Sequence, residues 1–184
     1  MTIETAQKLV GFNTRSDREK DDFYATPAEC TNALLAVETF YGNVFEPCCG
    51  EGHISKHLIA NGFNVESSDL LNRGYGIPRR DFLFERNKRD NIITNPPFKL
   101  ALSMARHAQD IARQKTALLL KLTFLEGVER QKFFADHPPA RIWVFSRRMA
   151  LMKNGESHKG GMLCLAWFVW ETGSTKSPVI GWLP

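Results

Sequence analysis

Apolar and polar positions along this chain alternate between two periods. Short stretches rich in β-branched and aromatic residues occur at 43–46, 64–69, 90–94, 117–121 and 141–146, and most are separated by segments repeating every three to four residues. The clearest helical pattern runs from 98 to about 114, with Phe98, Ala101, Leu102, Ala105, Ala108, Ile111 and Ala112 on one face. A second predicted helix covers 52–60 and is stopped by Asn61 and Gly62. Strands alternating with helices predict a parallel sheet with helices on both faces. After Ser146 a basic polar loop leads into 162–171, an apolar aromatic strand that needs a neighbour; a closing antiparallel hairpin is the economical arrangement. Residues 1–21 are polar and charged without a sustained period, and read as a flexible arm ahead of one domain over 22–184.

Composition adds few constraints. With 184 residues, 43% hydrophobic and 24% charged, the chain has the balance of a globular protein able to bury its own core. The longest apolar run, 162–170, is less than half of what a membrane-crossing helix needs. The first residues lack both a basic start and an apolar stretch of signal-peptide length, so a cytoplasmic location is expected. Four cysteines include the adjacent Cys48 and Cys49 but no C-x-x-C spacing and no clustered histidines, which favours structural thiols over a metal site or a disulfide framework. The net charge of +4 suits a polyanionic partner without requiring one.

Two segments carry candidate chemistry. The first is Glu46-Pro47-Cys48-Cys49-Gly50-Glu51-Gly52, a strand ending in an acid that runs through a glycine turn into a helix. Glycines there let the backbone approach a ligand, as in a nucleotide crevice at the carboxyl edge of a parallel sheet. The next strand closes at Ser68-Asp69, at the distance where a carboxylate meets ribose hydroxyls in dinucleotide folds; the competing reading of Asp69 is a turn residue capping the next segment. The second segment is Asn95-Pro96-Pro97-Phe98, directly after a buried-type strand. Consecutive prolines fix the backbone, so the Asn95 amide oxygen and the Pro96 carbonyl can converge on an amino group beside a stacking ring at Phe98. Standing alone, the motif would read as a proline-rich turn that starts a helix.

Together these residues resemble the S-adenosylmethionine-dependent amino-group methyltransferases, in particular small phage-type N6-adenine DNA methyltransferases. The resemblance runs in order through Asp22-Phe23-Tyr24-Ala25-Thr26-Pro27, Glu46 to Gly52, Ser68-Asp69-Leu70, Gly74-Tyr75-Gly76, Asp81-Phe82, Asn95 to Phe98, Ser146-Arg147-Arg148 and Ala166 to Trp170. It implies a Rossmann-like methyltransferase fold: a seven-stranded, mostly parallel sheet whose last strand is antiparallel. It implies that Tyr24, Thr26 and Pro27 with the Gly50 and Gly52 turn hold the methionine part of S-adenosylmethionine, and that Pro47 and Cys48 belong to the same cofactor set. Glu46 would lie near the methionine amino end, Asp69 at the ribose, and Asp81 and Phe82 at the cofactor's adenine. Asn95, Pro96, Pro97 and Phe98 would form the catalytic target-base pocket.

The expected reaction is methylation of adenine N6 in DNA, in a bacterial or phage-infected host cytoplasm, in a restriction-modification or prophage setting. Lys99, Arg147, Arg148 and Lys153 are the candidate contacts to the DNA backbone, and the basic stretch 147–159 is the favoured one. His53 and His107 read as packing or solvated residues. The stretch 147–161 is the sizeable loop after the catalytic motif, so target specificity is expected to be short or lax, or to come from a partner. The same motif serves RNA and protein-glutamine methyltransferases, and a non-catalytic protein binding the cofactor or DNA is the alternative from another class.

Overall fold

The structure, a computed structural model, describes residues 24–149, 163–174 and 177–184. The first 23 residues, and with them the expected arm and the Asp22-Phe23 start of the resemblance, lie outside the described residues, as do Lys153 and the stretch 150–162. Helix α1 (Ala28–Val37) leads into strand β1 (Val44–Glu46), followed by α2 (His53–Ala60) and β2 (Val65–Ser67). A 3-10 turn at Phe82–Phe84 precedes β3 (Arg89–Thr94), α3 (Ala101–Ile111) and β4 (Ala112–Lys121). A second 3-10 turn at Leu122–Leu125, α4 (Val128–Asp136), β5 (Arg141–Phe145), β6 (Leu165–Glu171) and β7 (Val179–Leu183) complete the order.

The seven strands form one sheet in the order β2-β1-β3-β4-β6-β5-β7. Pairing is parallel from β2 to β4, antiparallel on both sides of β6, and parallel again between β5 and β7. The aromatic strand read from 162–171 is thus the reversed one, inserted between β4 and β5. It is not the last strand of the chain: Val179–Leu183 follows it and adds an edge parallel to β5. That edge was not foreseen because five residues flanked by prolines and broken by Gly181 carry little strand pattern.

Strand alternation sorts the core into two layers. Ile93, Ala117, Leu119, Leu165, Trp167 and Val169 pack with Cys30, Leu34, Ile54 and Leu58 of α1 and α2 on one face. Leu118, Leu120, Ala166, Phe168 and Trp170 pack with Ala101, Ala105, Phe124 and Phe133 on the other. Trp167, fully buried, also donates its indole N–H to the Cys30 carbonyl at 2.8 Å, stitching β6 to α1. The helix expected over 98–114 is shorter. It ends at Ile111 because Ala112 adopts extended backbone and starts β4 at once. The strand begins well before the predicted 117 because β6 pairs with it down to Lys115. Among the described residues no helix is long and apolar enough to cross a membrane.

One buried acid locks the far end of this sheet. The Glu38 carboxylate accepts hydrogen bonds from Arg141, from Lys115 Nζ at 2.8 Å and from the Trp143 indole at 2.9 Å. Burial alone would raise its pKa, but these donors hold it below the ordinary glutamate value. Its contribution to stability is therefore present at neutral pH and lost as pH falls through the folded-state pKa. Replacing Glu38 by Gln leaves Lys115 without its carboxylate and Arg141 with Glu171 alone, and is expected to cost about 3 kcal/mol near pH 7. Urea unfolding at about pH 7 and about pH 3 checks this, since the gap to the unmodified protein should narrow at the lower pH.

Candidate active site

The strand order reverses direction between β1 and β3: the chain leaves β1 towards β2 on one side and returns to β3 on the other. In open parallel sheets the crevice at the carboxyl ends of two such strands is where ligands bind, because the loops that leave them part there. A cavity of about 380 Å³ occupies this place, within the range that holds a small-molecule ligand. Its walls come from the segments after β1 and β3, the start of the described chain, and the loop between β2 and β3.

Of the residues expected at the site, Tyr24 and Thr26, then Glu46, Pro47 and Cys48, then Asp69, Asp81 and Phe82, and finally Asn95 through Lys99, all line this one cavity. Pro27 does not; it sits at the start of α1. Gly50 and Gly52 act from behind the wall. The Gly50 N–H donates to Asp69 Oδ2 at 2.8 Å, and Gly52 starts α2 with φ +82°. A Cβ at Gly52 would stand 2.5 Å from the Tyr75 ring, so only glycine lets the 74–76 loop close on this turn.

Asp69 serves as the turn residue of one reading and also faces the cavity. Its Oδ1 accepts from Leu71 N at 2.8 Å and its Oδ2 from Gly50 N, so the carboxylate ties two loops while lining the cavity. Asp81 similarly accepts from Leu83 N at 2.9 Å and caps the 3-10 turn that buries Phe82. Behind these loops Arg80 and Arg89 bridge Glu66 and Glu85 and lie over the Phe45 ring, with centroid distances of 5.2 and 4.3 Å. This network fixes the stretch carrying Asp69 and Asp81 to β2 and β3.

Glu46 is the electrostatic anomaly. It is 1% exposed, lines the cavity, and accepts a hydrogen bond from Ser55 Oγ, which in turn lies 2.6 Å from Ser67 Oγ. Burial pushes its pKa up to about 8 against that hydrogen bond, and the Asp69 charge adds to the rise. A buried acid without a countercharge is a place for a cation. Burial likewise raises Cys48 and Cys49, so both thiols stay protonated and neither supplies a thiolate nucleophile.

At the other part of the cavity Asn95 Nδ2 donates to the Tyr24 carbonyl at 3.3 Å and to Thr26 Oγ1 at 3.1 Å. Both amide hydrogens are engaged, and Oδ1 is the end left to accept. The Tyr24 and Phe98 rings stack with centroids 6.1 Å apart. His107 packs edge-on against Phe82 at 5.0 Å, and His53 sits 3.3 Å from Glu51 on the cavity wall.

The arginines expected to contact substrate are not brought into the wall. Arg147 pairs with Glu29 of α1 at 2.6 Å, both exposed, which draws it along the surface, and Arg148 is exposed beyond the cavity. Sequence reasoning missed Leu71, Leu83 and Met104, which with Leu70 add to the cavity's apolar lining. Met104 was within reach, since it stands three residues from Ala101 and four from Ala108 on the predicted helix face. Lys121, whose Nζ lies 4.3 Å from the Phe98 centroid, carried no local signal.

No family model and no curated protein matches the sequence. Solved structures do match its fold. A putative RNA methyltransferase from Pyrococcus horikoshii superposes with a TM-score of 0.63 at 13% identity, covering 92% of this chain and 98% of that one. The M protein of the type I restriction enzyme EcoKI superposes with a TM-score of 0.61 at 12% identity over 84% of this chain, which spans 45% of that protein's length. Magnesium protoporphyrin IX methyltransferase from Synechocystis PCC 6803, solved with bound S-adenosylmethionine, gives 0.51 at 17% identity, covering 77% and 76%. The sheet is that of the Rossmann-like methyltransferase fold.

The elevated Glu46 pKa has a thermodynamic consequence. The folded protein holds this proton when the unfolded chain has released it, so its contribution is fully present below about pH 4.5 and is lost as pH rises through about 8. Glu46→Gln, which still accepts from Ser55, should match the unmodified protein near pH 4 and exceed it in melting temperature near pH 9. An equal difference at both pH values would contradict the buried, uncompensated carboxyl.

Proposed function

We propose that this protein transfers the methyl group of S-adenosylmethionine to the exocyclic amino nitrogen of adenine in DNA. The observation that carries the reading is the Asn95 amide, whose N–H₂ is spent on Tyr24 and Thr26 and whose oxygen is left as an acceptor beside Phe98. An acceptor next to an aromatic ring selects a flat molecule with an amino group.

The residues present fit the cofactor. Glu46 is a buried acid with no countercharge among the described residues, which a methionine ammonium would supply; Asp69 offers a carboxylate for ribose hydroxyls; and Phe82 with Leu83 offers apolar surface for an adenine ring. Tyr24, Thr26, Pro47, Cys48 and the Gly50–Gly52 turn would enclose the methionine part, with Pro27 and Asp81 fixing the segments on either side. Bound there, S-adenosylmethionine supplies a methyl carbon already activated by its sulfonium.

The chain's own task is positioning. A conjugated amino nitrogen is a weak nucleophile, and a hydrogen bond to Asn95 Oδ1 favours the geometry in which its lone pair points at the methyl carbon. Pro96 and Pro97 hold that oxygen by fixing the backbone, and Phe98 stacks on the base. A base inside a duplex must be flipped out to reach this depth, at a cost of a few kcal/mol. Lys99, Arg147, Arg148 and Lys153 are proposed contacts to the nucleic-acid backbone, supplying affinity without sequence information.

Transfer of labelled methyl to double-stranded DNA, single-stranded DNA, RNA and a glutamine peptide tests the reading. Label is expected in DNA as N6-methyladenine. Asn95→Ala should lose at least about a hundredfold in kcat, and Thr26→Val, which frees one amide hydrogen of Asn95, about tenfold. Label in RNA or peptide alone would overturn the acceptor. Saturable cofactor binding with no transfer to any acceptor would favour a non-catalytic binding protein.

A further inference from the structure

We propose that the β7 edge of the sheet is a self-association surface, on which a second copy of this chain pairs its own β7 antiparallel about Gly181 and joins the two sheets into one.

The backbone of β7 sets the pairing. The strand is held against β5 from Val179 to Leu183, and among the described residues no strand lies on its outer side. Val179 N donates to the Ala140 carbonyl at 3.1 Å and Ser146 N donates to the Leu183 carbonyl at 2.9 Å, so the odd-numbered residues face β5. Backbone polar groups alternate sides along a strand, which turns those of Ile180 and Trp182 outward. The next outward positions, 178 and 184, are prolines and have no N–H to give. A short bare edge remains, and it is complementary to itself. With Ile180 opposite Trp182 of the partner subunit, every outward N–H finds an outward carbonyl, and Gly181 lies on the two-fold axis. Sliding one strand by two residues sets Pro178 opposite Trp182, or Pro184 opposite Ile180, and loses bonds.

The side chains match the same register. Ile180 and Trp182 share a sheet face with Ile142 and Val144 of β5. The layer formed with Phe133 of α4 buries Ile142 but leaves Ile180 52% and Trp182 69% exposed. Across the axis these two become directly opposed β-branched and aromatic pairs, which stabilise antiparallel strands. Residues 177–184 carry no charge, and Arg141 on the neighbouring strand is neutralised by Glu38 and Glu171, so two copies meet without like-charge repulsion. The opposite edge is closed. There Ile77 N donates to the Ser67 carbonyl at 2.9 Å and the Ile77 carbonyl accepts from Asp69 N at 3.0 Å, covering the outer side of β2. Edges that must stay single are covered in this way or guarded by charge; β7 has neither among the described residues.

The contact is small. It covers less than the about 800 Å² per partner of a tight interface, so dimer and monomer exchange in the micromolar range. β4 and β5 are both antiparallel to β6, so β7 runs the same way as β1, β3 and β4. An antiparallel β7 pair therefore opens the two cavities at opposite ends of the joined sheet, and neither copy completes the other's site.

Sedimentation of the full chain from a few to several hundred micromolar tests the pairing. The unmodified protein should pass from monomer to dimer with no larger species. Hydrogen exchange at the Ile180 and Trp182 amides should slow as the dimer forms, while Gly181, which already faces β5, keeps its rate. Ile180→Glu and Trp182→Lys alter exposed side chains; each should keep the parent's melting temperature and weaken the dimer at least about tenfold. Mixing the two variants should restore a dimer, because the antiparallel register sets the new carboxylate opposite the new ammonium and keeps one Ile180–Trp182 pair. A parent that stays monomeric throughout, or a dimer that both variants leave intact, overturns the proposal. Mixing that restores nothing overturns the register about Gly181, as does exchange at Ile180 and Trp182 that ignores concentration. Where a variant melts early, the amide exchange of the unmodified protein decides alone.

Discussion

The site depends on a tie between two parts of the chain far apart in sequence: the Asn95 amide donates to the Tyr24 carbonyl and to Thr26 Oγ1. These bonds hold the segment before α1 against the turn after β3 and so close one wall of the cavity. They also orient the amide, because a primary amide that has given away its hydrogens has only its oxygen to offer. The Tyr24 and Phe98 rings stack beside the tie, and Phe98 is carried into that position by two prolines that leave the backbone little freedom.

The rest of the cavity is shaped by acids that burial and partners treat differently. Glu38, Glu66 and Glu85 are paired with arginine or lysine and held below their usual pKa against the opposing effect of burial. Glu46 is the most deeply buried of the four and among the described residues has only hydroxyl support, and its pKa rises to about 8. The paired acids brace the sheet and the 68–85 loop; Glu46 faces the cavity. A folded protein tolerates such a destabilising group where binding compensates for it.

Much of the fold was legible in the sequence because its signals are local. Periodicity located β1, β3, β5, β6 and α2 within a few residues, and the Phe98 helix face was right at Ala101, Ala105, Ala108 and Ile111. The errors lie where tertiary pairing overrides local pattern. β4 starts at Ala112 because β3 pairs with it there and β6 runs alongside it from Lys115, and β7 exists because β5 offers an edge. The site was legible through short motifs that each mark one loop, and the topology then brought those loops to the β1–β3 switch point. Contacts set by long-range geometry were hidden: Thr26 against Asn95, Lys121 against Phe98, and Arg147 drawn off to Glu29.

The central claim is the proposal that this cavity takes S-adenosylmethionine, with Glu46 facing its ammonium and Asp69 its ribose. Calorimetric titration of the full chain with S-adenosylmethionine, NAD and adenosine triphosphate in parallel addresses it most directly. The account predicts saturable one-to-one binding of S-adenosylmethionine, lost in Asp69→Ala, and no saturable binding of the other two. Binding of either phosphorylated nucleotide with none of S-adenosylmethionine would contradict it.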